Sequence, residues 1–166
     1  MKIVTFHDMV RDEFRGYYEI FDMNGFRDNI VQHGMYILKW KEVDRFLSIA
    51  GLIFDQIVGA RRYLCFHERG IWPNSENIYL MESLCNYSLG KNEFRLHDVV
   101  ELESDDRPAG VSFTQLALEF GWGGLIFSSR TSWFYFSHDS YGVLSCPNGP
   151  SPYLSDLLDI KKVIQS

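Results

Sequence analysis

Basic clusters, cysteine pairs and long apolar runs are what this chain has least of, and each shortage removes a class of protein. Its 16 Lys and Arg are scattered, with Arg61-Arg62 and Lys161-Lys162 the only adjacent pairs. A nucleic-acid groove concentrates such residues on one surface, so direct nucleic-acid binding is not expected. Cys65, Cys85 and Cys146 are odd in number and form no CxxC pair, which suits neither a disulfide framework nor a zinc knuckle. Free thiols in a reducing compartment are the simpler expectation. No apolar stretch approaches the ~18 residues needed to span a membrane, and the opening Met-Lys-Ile-Val-Thr-Phe-His-Asp turns polar too early for a secretory signal. The sequence therefore predicts a soluble, cytoplasmic protein without a membrane partner. Neither a G-K-[ST] phosphate loop nor a G-x-S-x-G nucleophile elbow occurs.

What is plentiful is aromatic side chain. Phe, Tyr and Trp make up 16% of the 166 residues, against 46% apolar and 23% charged overall. A chain of this length buries enough surface for one stable core, and the reading is a single domain over residues 1–166. Rings supply large buried areas and also anchor the centres of protein interfaces. The net charge of −6 favours a basic protein partner and accelerates its approach.

Pattern and punctuation predict an α+β fold: a largely antiparallel sheet, with a C-terminal meander, flanked by several helices. Ile3–Phe6 reads as a strand, and Val10, Phe14, Tyr17 and Phe21 recur at helical spacing after Asp8. The stretch Ile30–Trp40 fits helix or strand. Over Glu42–Val58, Val43, Phe46, Leu47, Ala50, Phe54 and Ile57 share one helical stripe. Arg62–His67 reads as a strand, Ser75 as the cap of a helix for which strand is the rival, and Glu93–Glu103 as extended chain. Glu103–Gly110 is polar and turn-like, and is read as an exposed loop. Ser112 then caps a short helix stopped by Gly121. Leu125–Ser129, Trp133–Ser137 and Tyr141–Ser145 form the meander, Cys146–Pro152 a loop, and Ser151-Pro152 opens a final helix carrying Leu154, Leu157, Leu158 and Ile164. Along Trp133-Phe134-Tyr135-Phe136 alternate rings face opposite ways, so one face fills the core and the other is free to bind.

Four of five histidines precede an acid: His7-Asp8, His67-Glu68, His97-Asp98 and His138-Asp139, where composition gives about 0.7. A His-Asp dipeptide is a metal-ligating unit in helical phosphohydrolases. In strands, however, neighbouring side chains diverge and do not share an ion, so no metal and no cofactor is assigned. Ser137-His138-Asp139 has the residue types of a hydrolytic triad, but triads assemble from distant segments. Cys146 with His138 or His97 is a better nucleophile and base pair, set against an inert thiol. In Gly121-Trp122-Gly123-Gly124 the helix-to-strand order reverses that of phosphate loops, which marks a helix stop and a tight turn. Glu101, Glu103, Asp105 and Asp106 are close enough for acid–base work in a cleft, or for the rim of a protein contact.

Phe120-Gly121-Trp122-Gly123-Gly124-Leu125-Ile126-Phe127, followed by Phe134-Tyr135-Phe136-Ser137-His138-Asp139, resembles segments of small bacterial immunity proteins that neutralise polymorphic or contact-dependent toxins. The resemblance implies a non-enzymatic, cytoplasmic, acidic inhibitor that covers the active site of a basic toxin domain or a surface beside it. It carries over no functional residue. The partner contacts expected from charge and aromatic placement are Glu103, Asp105, Asp106, Trp122 and Asp139, with no catalytic residue assigned. The alternative is a small hydrolase using a metal, or Cys146, with His97 and His138. A subunit of a homo-oligomer is a third reading, and the sequence leaves the oligomeric state open.

Overall fold

A computed structural model describes residues 2–4, 35–39, 46–68, 99–129, 131–137 and 141–162. The described residues form one eight-stranded sheet and three α-helices, an α+β architecture. The strands are β1 (Lys2–Val4), β2 (Met35–Lys39), β3 (Arg62–Glu68), β4 (Val99–Leu102), β5 (Gly123–Ser129), β6 (Ser132–Phe136), β7 (Tyr141–Ser145) and β8 (Asp159–Lys162). Their spatial order is β1-β4-β3-β5-β6-β7-β2-β8, and every pairing is antiparallel. The helices are α1 (Phe46–Gln56), α2 (Arg107–Glu119) and α3 (Pro152–Leu157).

The expected meander is present as β5-β6-β7, with Phe134 opposite Ile126 and Leu144. Around it the sheet grows through contacts distant in sequence: β3 joins β5 on one side and β2 joins β7 on the other. The ambiguous Ile30–Trp40 stretch contributes β2, because pairing with both β7 and β8 satisfies its backbone on two sides.

All three helices pack on one face of the sheet. Ile49, Ala50, Ile53 and Phe54 of α1, with Ile57 just beyond it, meet Gly110, Val111, Thr114, Ala117 and Leu118 of α2, above Leu64, Val100, Ile126, Phe134 and Phe136. The axes approach closely at Gly110, where a Cβ would overlap the ring of Phe54 and lie 2.9 Å from a Leu102 methyl. Thr114 is buried there without penalty, since its hydroxyl donates to the Gly110 carbonyl at 2.8 Å. The end of α1 is held by polar groups: Arg62 Nε donates to the Ile57 carbonyl at 2.7 Å, Ser132 Oγ accepts from the Val58 amide, and Ser128 Oγ donates to the Val58 carbonyl.

The opposite face is buried at Trp133 and half-buried at Tyr135, which corrects the expectation that one side of the β6 ladder is free to bind. Phe134 and Phe136 point to the helices, while Trp133 joins Met35, Cys65, Val99, Leu125, Phe127 and Val143 in a second buried cluster, only 5% exposed.

Two segments differ from expectation. Glu103–Gly110 is not a loop: a 3-10 turn, Ser104–Asp106, runs directly into α2 at Arg107. Pro108 sits in the first turn, where a missing N–H costs nothing, and Ser112 is internal, its hydroxyl donating back to the Pro108 carbonyl. The final helix is also shorter than its apolar spacing suggests. It ends at Leu157, and Asp159–Lys162 turns into β8 along β2. A sheet edge offers unpaired backbone groups, and that offer outweighs the helical periodicity of Leu154, Leu157 and Leu158. The predicted helices at Val10–Phe21 and after Ser75 lie outside the described residues.

Candidate functional site

Glu103, Asp105 and Asp106 gather at the turn that starts α2, but with unequal duties. The Asp106 carboxylate accepts from the Glu103 amide at 3.1 Å, and the Asp106 amide donates to the Glu103 carbonyl, closing the turn on itself. Among the described residues Asp105 is exposed and makes no such bond. Glu101, in β4, is taken up by an ion pair with Arg61 at 3.2 Å. The four carboxylates therefore do not converge as an acid–base set.

Trp122 lies elsewhere, 3% exposed and inside the helix-side core. Its position follows from how α2 stops. Gly121 adopts φ 62°, the Trp122 amide reaches back to the Ala117 carbonyl at 2.8 Å, and the Gly121 amide reaches the Leu118 carbonyl at 3.4 Å. This is a Schellman closure, in which the residue after the left-handed glycine folds an apolar side chain onto the last turn. Trp122 is that side chain, and its ring sits 6.2 Å from that of Phe120. Asp139 lies outside the described residues, as do Cys85, His7, His97 and His138.

Beside the acidic turn is an open groove of about 660 Å³ between the helices. Leu52 of α1, Val111 of α2 and Leu157 of α3 give it apolar lining, and Asp55, Arg107 and Asp156 give it charge. Arg107, the residue after Asp106, clamps Asp55 through two parallel bonds, Nε to Oδ1 at 2.8 Å and Nη2 to Oδ2 at 2.6 Å. The hydrogen bond to Asp55 and its charge raise the Arg107 pKa further. The clamp fixes the start of α2 against the end of α1, but it is half exposed, so it sets register more than stability. Tyr153, 72% exposed, stands at the same groove. Sequence reasoning missed these residues. Their signal was weak but present: Ser48, Leu52 and Asp55 share the face of α1 away from the apolar stripe, and Tyr153 is a large ring in a helix's first turn.

Nearby, the Arg62 guanidinium lies 4.8 Å from the centre of the Phe54 ring, and burial lowers its pKa. That cation is part of the packing of α1 and is not presented to the groove.

The thiol chemistry is equally constrained. Cys146 follows β7, is 5% exposed, and burial pushes its thiol up to about 11, partly opposed by a hydrogen bond with the Gly149 backbone. A catalytic thiol needs its pKa lowered, so Cys146 is placed as packing rather than as a nucleophile. Two outcomes follow. Alkylation of Cys146 at pH 8 should run at least tenfold slower than for an ordinary thiol of pKa near 8.5, the smaller thiolate fraction being only partly offset by the nucleophilicity of a more basic thiolate, and become normal on unfolding, as peptide mapping after iodoacetamide would read. Because the folded pKa is raised, the unfolded chain releases the proton first. Stability is then fully present below about pH 9 and falls as the pH rises towards 11. Cys146→Ala should flatten that part of the stability profile relative to wild type.

His67-Glu68 falls at the end of β3, where the pairing with β5 shifts register between Phe66 and Glu68. Among the described residues no three His, Cys, Asp or Glu side chains are grouped to hold a metal ion, and no helix is long and apolar enough to cross a membrane. No protein-family model, curated protein or solved structure matches this chain. What the fold and site define is an α+β domain with an acidic turn beside an open groove on its helical face.

Proposed function

We propose that this chain is a non-enzymatic, protein-binding inhibitor, an immunity protein that neutralises a bacterial toxin by direct contact, with a basic partner domain docking on the helical face. The observation that carries the reading is the juxtaposition of the acidic turn with the groove. Exposed Glu103 and Asp105 adjoin Arg107, and the same groove presents Asp156 and the exposed ring of Tyr153 over apolar Leu52 and Leu157. Acids at a rim around an aromatic anchor are how a surface both steers and holds a cationic partner. The resemblance of residues 120–127 and 134–139 to immunity-protein segments supports the same reading, although the described ones among those residues serve the sheet and its core. A cytoplasmic location is part of this proposal.

The test is to identify the bound protein in its host by affinity capture and mass spectrometry, then to reconstitute the pair from purified components. Asp105→Lys should slow association roughly tenfold at low ionic strength, and the slowing should shrink at high salt. Tyr153→Ala should act chiefly on dissociation. Asp105 is chosen over Asp106 because reversing Asp106 would also break the turn. An association rate untouched by Asp105→Lys, with the fold intact by circular dichroism, would take the acidic turn out of the interface.

A further inference from the structure

The strand β8 closes one end of the sheet. It pairs with β2 through Tyr36–Lys162, Ile37–Lys161, Leu38–Ile160 and Lys39–Asp159, and among the described residues nothing pairs with its outer edge. Asp159, Lys161 and Lys162 are exposed, while Ile160 packs partly against the helix-side core. Alternation then puts Asp159 and Lys161 together on the other face, consistent with their nitrogen–oxygen separation of 3.8 Å.

We propose that this edge is a homodimerisation site, with β8 of a second copy pairing antiparallel to β8 of the first about a two-fold axis through Ile160. The edge is self-complementary. A two-fold axis perpendicular to a sheet keeps each face on its own side, so opposed residues must share a face, and the register must centre on a residue. Centring on Ile160 places Ile160 against its own copy on the helix face. It sets Asp159 opposite the second copy's Lys161, and Lys161 opposite the second copy's Asp159, on the other face. Both charge contacts are of opposite sign, and both arise from the sequence Asp159-Ile160-Lys161 by symmetry alone. Edge lysines ordinarily discourage such pairing by repelling each other; here the register converts them into partners. The result is one continuous sheet joining two eight-stranded halves, with all helices on the same side. So short an edge buries little area, and association therefore belongs to the weak, reversible class.

Sedimentation of the full chain from about 10 μM to about 1 mM, the range in which small interfaces associate, is expected to show a monomer–dimer equilibrium that weakens with salt. Asp159→Lys puts four lysines at the contact, and Lys161→Asp puts four aspartates there, so each should raise the dissociation constant tenfold or more. An equimolar mixture of the two variants restores opposite charges at both positions and should associate as wild type does. So should the swapped chain Asp159→Lys/Lys161→Asp. These positions are exposed, so loss of association with retained circular dichroism reads the contact rather than the fold. A wild type that stays monomeric at about 1 mM, single variants that associate like wild type, or a mixture that fails to recover association would each overturn the proposal.

Discussion

Replacing Gly110 with valine is expected to cost about 3–5 kcal/mol, a large fraction of the stability of an ordinary domain. Taken alone, the helix would welcome the change: glycine in a helix interior is about 0.5–1 kcal/mol less favourable than alanine, and valine recovers part of that. Packing opposes it. A Cβ at this position would overlap the Phe54 ring and come within 2.9 Å of a Leu102 methyl, and both residues are fully buried, so neither can swing aside. Inserting atoms into such a contact costs more than local propensity returns. The measurement is urea or thermal unfolding of the purified variant. The attribution is tested by the double variant Gly110→Val/Phe54→Ala. Phe54→Ala alone leaves a cavity worth about 3–5 kcal/mol, but part of that space is what the introduced valine needs. The pair should therefore fall short of additivity by about 1 kcal/mol or more. Strict additivity would mean that the cost of the valine arises somewhere other than this ring.

The second large effect concerns neighbours on one strand. Phe134→Ala and Trp133→Ala should each destabilise the protein by about 3–5 kcal/mol, although the two rings point in opposite directions. Phe134 is completely buried against the helices, stacked on Phe136 with centroids 5.9 Å apart, and its ring covers Gly142. Trp133 sits in the second cluster with Phe127, Leu125 and Val143. A sheet with one solvated face would give a different outcome, with Phe134→Ala severe and Trp133→Ala costing less than about 1 kcal/mol. Equal severity is the mark of a sheet buried on both faces at this strand.

How much of this was legible in the sequence depends on whether the signal was local. The stripe from Ala50 to Ile57 and the strand at Arg62 could be read directly, because period and punctuation agree there. The same holds for the stop at Gly121 and the three hairpin-linked strands of the meander. The acidic residues at 103–106 were legible as exposed carboxylates, but not as a turn that spends Asp106 on its own backbone while leaving Asp105 to solvent. The groove was not legible, since it exists only where three helices distant in the chain leave a gap. Trp122 illustrates the limit from the other side. An isolated tryptophan among glycines reads equally as a binding anchor or a packed ring, and the Schellman closure chose the latter by folding it onto Ala117.

Thus the sequence by itself determined the α+β class, the amphipathic stripes, the alternating rings of β6 and the acidic character of the region after β4, since these rest on spacing and composition within a few residues. Tertiary structure alone decided that Trp133 is buried on the face opposite Phe134, that Cys146 is buried with its thiol pKa raised, that residues 159–162 leave the helix to become a sheet edge, and that Arg107, Asp156 and Tyr153 line one groove. The physical reason is the same in each case. Burial, pKa and strand pairing are set by which distant segments exclude water from a group or supply its missing hydrogen bonds, and no local pattern records that choice.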